Sequence, residues 1–236
     1  MDFKGIQKFS LIDYPGKLSC VVFTGGCNFR CPFCQNKDLV LWPEKLKSIS
    51  FDYVLKCLEE KRGWVDGLVL LGGEPTIHED LTEVAEEVKN RGFLVKLDTN
   101  GSNPNMLRRM IKAKLVDYVA MDVKAPLNFE HYSKAIGVTN KKYFNNVLKS
   151  IKLLKASRID YEFRTTVVPK ILTLDDVKVI ARQIRPAKAY YLQQFSPHNT
   201  LDKSFEKVKP YPLTQLEELR AWIDEKKWFK KTGLRT

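Results

Sequence analysis

The chain has 236 residues, with 40 Lys and Arg against 28 Asp and Glu and a formal net charge of +12. This length predicts a single α/β domain with a substantial core that needs no disulfides. No apolar run reaches transmembrane length and no signal peptide opens the chain, so we expect no membrane partner and a reducing cytoplasm. The lysines fall on outer helix faces without an RNA-binding signature, so we do not expect nucleic acid as a partner.

The predicted elements alternate between strand and helix along the chain. A strand or hairpin is expected within residues 3–17, which contain the turn Tyr14-Pro15-Gly16. Six core strands are then predicted at residues 18–24, 67–71, 94–97, 118–121, 160–168 and 189–193. Helices are predicted at residues 51–61, 80–91, 104–113, 142–155, 173–184 and 212–227.

This alternation predicts parallel strands joined by right-handed crossovers. A closed (β/α)8 barrel needs two more units and about 250 residues. The sequence therefore predicts an α/β fold, a partial (β/α)6 TIM-like barrel that is open on one side. We divide the single domain into an N-terminal extension (1–17), the barrel (18–200), and a C-terminal helix with a basic tail (201–236).

Three of the five cysteines, Cys27, Cys31 and Cys34, lie in one Gly-rich loop at residues 25–36, here called the cysteine loop. Three thiolates can hold three irons of a [4Fe-4S] cube, and this spacing leaves the fourth iron open to a substrate or cofactor. Zinc is the alternative, but structural zinc sites close with a second Cys or His pair, and none follows here. Cys20 and Cys57 have apolar neighbours and are expected in the core.

Polar residues and glycines also follow the other predicted strands. Each group alone is typical of a turn, but functional residues of such barrels come from the carboxyl ends of the strands. Their joint placement therefore predicts a site at these ends. The residues are Gly72, Gly73 and Glu74 after the second strand, Asp98, Thr99 and Asn100 after the third, Asp122 and Lys124 after the fourth, and Arg164 within the fifth.

The cysteine loop, with Phe33 directly before its last cysteine, resembles the cluster motif of radical S-adenosylmethionine (SAM) enzymes. The run from Ile12 to Lys17, together with Val22 to Cys27, resembles the glycyl-radical-enzyme activases, most closely those of anaerobic ribonucleoside-triphosphate reductase. The resemblance is strong over residues 5–36 and at the later motifs, and weak beyond residue 199. The sequence differs from this family after the sixth strand. Formate-lyase activases place a histidine directly after the aromatic residue there, whereas in this chain Phe195 is followed by Ser196.

The resemblance implies a [4Fe-4S] cluster on the three clustered cysteines and SAM on the open iron. The SAM amine is expected to meet the carbonyls of Gly72 and Gly73 and the side chain of Glu74. The remaining SAM contacts are expected from Lys124 or Arg164 to the carboxylate, from Asp98 or Asn100 to the ribose, and from Phe33 and the Gln35 backbone to the adenine.

Two further interpretations concern the charged residues. Asp122 and the pair Asp98-Thr99 match positions near a bound monovalent cation in formate-lyase activases, so such a cation is a possible cofactor. The structural alternative for Lys124 and Arg164 is an ion pair with Asp122 or Glu162.

The implied reaction is reductive cleavage of SAM to methionine and a 5′-deoxyadenosyl radical, which takes hydrogen from a glycine of a partner glycyl radical enzyme. Anaerobic ribonucleotide reductase is the expected partner, a flavodoxin or ferredoxin-type protein the expected reductant, and no catalytic side chain is required. The alternatives are a radical SAM enzyme that acts on RNA or a small metabolite, and a non-catalytic iron-sulfur or zinc module. Gly73→Val is expected to impair SAM binding and to spare the cluster.

Overall fold

The computed structural model describes residues 1–236. It contains eight strands: β1 Phe3–Ser10, β2 Ser19–Thr24, β3 Gly67–Gly72, β4 Leu94–Thr99, β5 Tyr118–Asp122, β6 Asp160–Val167, β7 Ala187–Gln194 and β8 Phe229–Arg235. It also contains eight helices: α1 Lys37–Leu41, α2 Phe51–Glu59, α3 Leu81–Asn90, α4 Pro104–Lys112, α5 Phe129–Ile136, α6 Lys141–Ala156, α7 Leu174–Ile184 and α8 Leu213–Glu225. None of these helices combines the length and the apolar character needed to cross a membrane.

The eight strands form one sheet in chain order from β1 to β8. β1 is antiparallel to β2, whereas the pairs β2–β3, β3–β4, β6–β7 and β7–β8 are parallel. The sheet is open, with β1 and β8 as its edges. This confirms the predicted open α/β fold, with the predicted six core strands extended by one strand at each edge.

Three elements were not predicted from the sequence. They are the short helix α1, the helix α5 and the last strand, β8. The sequence predicted a basic tail after the last helix, but residues 229–235 form a strand that pairs with β7 in parallel. Arg235 anchors this strand through two hydrogen bonds, of 2.7 and 2.9 Å, from its guanidinium to the fully buried carboxylate of Glu162. The lysines before β8 made this strand hard to recognise from the hydrophobic pattern, although its first residue, Phe229, is buried.

The chain divides into two compact units. The single-domain organisation stays a prediction. The first unit comprises residues 1–28, 36–99 and 103–119. On one face of its strands Val21, Val69 and Tyr14 form a buried cluster, against which partly buried apolar residues pack. The predicted cap of α2 is confirmed, because Ser50 Oγ accepts the Tyr53 N–H at 3.2 Å.

The second unit comprises residues 29–35, 100–102 and 120–236. It contains α5 to α8 and β6 to β8. Most residues of β6 and β7 are buried, as in a parallel strand covered on both faces, whereas only Phe229 of β8 is buried. The Tyr190 hydroxyl donates to Thr165 Oγ1 at 2.9 Å between β7 and β6. The predicted cap of α7 is a full capping box between Thr173 and Asp176.

Candidate cofactor site

Backbone hydrogen bonds within the first unit fix the start of the cysteine loop. Gly26 has a φ of +80°, in the left-handed region that favours glycine. Its N–H donates to the Leu39 carbonyl of α1 at 2.7 Å, and its carbonyl accepts the Glu74 N–H at 2.9 Å. Cys27 is the next residue and is half-buried. The backbone that precedes Cys27 is therefore held by α1 and by the segment after β3.

The two glycines at the end of β3 lie against this backbone. The Gly73 N–H donates to the Thr24 carbonyl at 2.9 Å, and the Gly72 carbonyl accepts the Asn36 side-chain amide at 3.2 Å. A Cβ added to Gly73 would overlap the Gly26 carbonyl, and one added to Gly72 would overlap the Thr24 backbone. Neither position has room for a side chain, so Gly-Gly is required here by close backbone packing.

Glu74 is held in one orientation by neighbouring donors. Its side chain is 1% exposed, and its Oε1 accepts hydrogen bonds from the Thr76 N–H at 3.1 Å and the Thr76 hydroxyl at 2.5 Å. The Thr99 hydroxyl at the end of β4 donates to the same oxygen at 2.7 Å. Glu74 is therefore a fixed acceptor directly after the Gly-Gly segment.

Asp98 forms an ion pair that the sequence analysis did not identify. Lys96 and Asp98 are 1% and 4% exposed. They are two positions apart on β4, so their side chains lie on the same face of the strand, and the Lys96 ammonium contacts Asp98 Oδ1. The Lys96 ammonium also lies 6.0 Å from the ring centroid of Tyr118. The predicted ribose ligand Asp98 therefore has a buried cation beside it.

The second unit holds the rest of the cysteine loop. The Arg30 N–H donates to the Ile136 carbonyl at the end of α5, at 2.8 Å. The Cys34 N–H donates to the Cys31 carbonyl at 3.0 Å, and the Cys34 carbonyl accepts the Leu201 N–H at 2.8 Å. Cys31 is buried and Cys34 is half-buried. The turn that carries both cysteines is thus fixed by α5 and by the segment before α8.

Phe33 and Gln35, the predicted adenine contacts, occupy different surroundings. Phe33 is buried, and the Lys124 ammonium lies 5.9 Å from its ring centroid. The Gln35 amide donates to the Ser196 carbonyl at 3.3 Å, and the Gln35 carbonyl accepts the Asn199 side-chain amide at 3.2 Å. Both backbone and side chain of Gln35 therefore join the loop to the segment after β7.

Asp122, Lys124 and Arg164 form one cluster in the second unit. Asp122 Oδ2 accepts from Lys124 Nζ at 2.7 Å, and Asp122 Oδ1 accepts from Arg164 Nε at 3.0 Å. Burial alone would raise the pKa of Asp122, but the Arg164 and Lys124 charges outweigh burial and lower that pKa to about 2. Burial alone would lower the pKa of Lys124, but the negative charges of Asp122, Cys31 and Cys34 raise it. The structural alternative, an ion pair with Asp122, is present, and the Lys124 ammonium interacts electrostatically with Cys31 and Cys34.

This cluster predicts a stability loss that does not change around neutral pH. Asp122→Asn removes the carboxylate that compensates two cations, and we expect it to lower the free energy of unfolding by about 3 kcal/mol. The native pKa of Asp122 is about 2, below the usual value near 3.9, so its contribution is complete above pH 5 and is lost only as pH falls towards 2. Urea unfolding at pH 6, 7 and 8 should give the same loss at each pH.

The control is Asp160→Asn in the same unit, since Asp160 forms an exposed ion pair with Lys188. It should change the free energy of unfolding by less than about 1 kcal/mol. A loss at Asp122 that grew steadily from pH 6 to pH 8 would contradict the low pKa of its carboxyl.

The side chain of Asn100, the second predicted ribose contact, is hydrogen-bonded to the backbone two residues further along the chain. It is buried, and its Oδ1 accepts the Ser102 N–H at 2.9 Å. The Gly101 carbonyl between them accepts the Ser150 hydroxyl at 2.7 Å, and Gly101 has a φ of +75°. This turn is bonded to α6 through Ser150, and the Ser102 N–H fixes the Asn100 side chain.

Three residues of the site were missed from the sequence: Asn36, Thr76 and Lys96. A lysine inside an apolar strand, two positions before an aspartate, is the signal that could have identified Lys96. No group of three or more His, Cys, Asp or Glu side chains is arranged to hold a single metal ion. A [4Fe-4S] cube takes each thiolate on a different iron, so its ligands need not converge on one point.

Residues 21–184 match the radical SAM superfamily, and the chain belongs to this superfamily. Membership implies a [4Fe-4S] cluster and SAM as cofactors. A Methanocaldococcus jannaschii protein named as a glycyl-radical enzyme activating enzyme is 37% identical over 219 residues, 92% of this chain and 88% of that protein. The pyruvate formate-lyase-activating enzyme of Streptococcus mutans is 28% identical over 222 residues, 88% of this chain and 81% of that enzyme.

Solved structures share the fold at low identity. SuiB of Streptococcus suis, bound to its precursor peptide SuiA, has a TM-score of 0.70 and 14% identity. The match covers 92% of this chain and 48% of SuiB, so the chain spans about half the length of SuiB. QueE from Escherichia coli has a TM-score of 0.57 and 14% identity, with 100% of this chain and 93% of QueE covered. These likenesses support the fold alone.

Proposed function

We propose that this radical SAM enzyme is an activase that forms a glycyl radical on a partner enzyme, anaerobic ribonucleotide reductase. The observation that carries the activase proposal is the 37% identity, across nearly the full length of both chains, to the Methanocaldococcus jannaschii protein that is named as an activating enzyme. The named partner is supported by the resemblance of the run Ile12–Lys17 and of Val22–Cys27. A flavodoxin or ferredoxin-type protein is the proposed reductant.

We assign the cluster to Cys27, Cys31 and Cys34. Two features of the chain fit this assignment. The raised pKa of Lys124 keeps a positive charge near Cys31 and Cys34, and such a charge favours thiolates. Bonds from Gly26 to Leu39 and from Leu201 to Cys34 hold the loop at both ends. When bound, the cluster supplies the electron that cleaves SAM to methionine and the 5′-deoxyadenosyl radical.

The remaining residues are proposed to bind and orient SAM. The Gly72 and Gly73 carbonyls and the Glu74 carboxylate accept from its amine. Phe33 covers the adenine, with backbone bonds from Phe33 and Gln35, and Asp98 or Asn100 receives the ribose hydroxyls.

The SAM carboxylate is assigned to Lys124 and Arg164. Their ion pairs with Asp122 do not exclude this role, because an ammonium has three N–H donors and a guanidinium has five. Asp122 holds both cations in place, so their binding geometry is set before SAM arrives.

The proposal is tested with the reconstituted enzyme under anaerobic conditions. The enzyme, SAM and dithionite are incubated with anaerobic ribonucleotide reductase, and in parallel with pyruvate formate-lyase as the matched partner control. We expect 5′-deoxyadenosine by chromatography and a glycyl doublet by electron paramagnetic resonance on the reductase only. A doublet only on the lyase would leave the activase class standing and refute the named partner.

Two other outcomes would favour the alternatives. Cleavage of SAM that RNA stimulates, with deuterium from labelled RNA appearing in 5′-deoxyadenosine, would support an enzyme that acts on RNA. Absence of SAM cleavage despite a reduced cluster would support a non-catalytic iron-sulfur module. Each outcome contradicts a different part of the proposal.

A further inference from the structure

Asp98 in this chain is already compensated by a lysine. The resemblance places a monovalent cation near Asp98-Thr99 and Asp122, yet the Lys96 ammonium contacts Asp98 Oδ1 directly. Both side chains are almost fully buried, at 1% and 4% exposure. Burial of this kind requires that a carboxylate and an ammonium be paired, because neither charge is tolerated alone in the interior.

The carboxylate of Asp122 is compensated as well. Its two oxygens accept hydrogen bonds from Lys124 and Arg164, at 2.7 and 3.0 Å. At both carboxylates that the resemblance connects with a cation, side chains of this protein already supply the compensating positive charge.

We propose that Lys96 takes the place of the monovalent metal ion, so that this enzyme binds SAM without added K⁺ or Na⁺. An ammonium carries the same charge as K⁺, is of similar size, and donates hydrogen bonds to the oxygens that would otherwise ligate the metal. A metal ion beside Lys96 would place two positive charges against one buried carboxylate, and their repulsion opposes its binding. This inference rests on the proposed SAM site and refines it.

The placement of Lys96 explains why a lysine can serve here. Lys96 and Asp98 are two residues apart on one strand, so their side chains leave the same face of β4. The Tyr118 ring lies 6.0 Å from the ammonium and adds a further favourable contact for a cation. Because the ammonium is attached to the same strand as its carboxylate, its position does not depend on the ion content of the solvent.

The experiment measures SAM binding to the holoenzyme with its cluster oxidised, by equilibrium dialysis against labelled SAM. The wild-type Kd in choline chloride should lie within about twofold of that in KCl or NaCl at equal ionic strength. Lys96→Met should bind SAM about tenfold more weakly in choline chloride and recover part of this loss in KCl. Lys89→Met is the matched control, since it removes a lysine from a partly buried ion pair, with Asp117, that belongs to no proposed SAM contact, and it should leave the Kd unchanged.

Three results decide the inference. A wild-type Kd that improves more than about tenfold on adding K⁺ or Na⁺ overturns it, as does a Lys96→Met enzyme with wild-type affinity in choline chloride. If Lys96→Met fails to fold by circular dichroism, the wild-type comparison decides, together with Lys96→Met/Asp98→Asn, which removes both charges and should show no response to K⁺. Absence of SAM binding by the wild type in every salt refutes the SAM site itself, and the role of Lys96 with it.

Discussion

Alanine at Cys27, Cys31 or Cys34 is expected to abolish the [4Fe-4S] cluster. Each thiolate holds one iron, and with two thiolates left the cube lacks a ligand that no other cysteine of the chain supplies in this loop. Anaerobic reconstitution of the wild type should give about four irons per chain. Each variant should lose this iron, its visible absorption and, after reduction, its electron paramagnetic resonance signal.

The matched controls are Cys20→Ala and Cys57→Ala. Both cysteines are buried in the first unit, and burial raises the pKa of Cys20 to about 11, so that its thiol stays protonated at neutral pH. These variants should keep about four irons, with a modest loss of stability from the small cavity that each creates. Loss of iron from Cys57→Ala, or its retention by Cys31→Ala, would refute the ligand assignment.

Replacing Gly73 by alanine is expected to disrupt both the cluster and SAM binding. The added Cβ would overlap both the oxygen and the carbon of the Gly26 carbonyl, and it would lie 3.3 Å from the Cys27 nitrogen. Both obstacles are backbone atoms, so the start of the cysteine loop must move, and the Glu74–Gly26 hydrogen bond is strained with it. The expectation from the sequence, that Gly73→Val spares the cluster, changes accordingly: iron content and SAM affinity should both fall by at least about tenfold.

Gly63→Ala is the control for this variant. Gly63 has a φ of +88°, but a Cβ there would meet no atom within 4 Å, so the substitution costs only local backbone strain. It should lower stability by about 1–2 kcal/mol and leave iron content and SAM affinity at wild-type values. Full iron content in Gly73→Ala would show that the loop tolerates the displacement and that the glycine serves SAM alone.

Much of the fold could be predicted because its signals are local. The core strands are continuous apolar runs, the helices repeat apolar residues at helical spacing, and the caps at Ser50, Asn103 and Thr173 lie where the sequence predicted them. The strand β8 was not predicted because lysines interrupt its apolar pattern. Its place in the sheet depends on β7 and on Glu162, which is 73 residues away from Arg235 in the chain.

The sequence by itself determined the spacing of Cys27, Cys31 and Cys34, because all three lie in one short loop and their relation is covalent and local. It also determined that polar residues follow the strands, since strand ends are visible in the hydrophobic pattern. Only the tertiary structure decided which charges compensate one another: Lys96 with Asp98, and Arg164 and Lys124 with Asp122. Such pairs form because folding removes these groups from water, and a buried charge is stable only beside a partner that the fold brings to it.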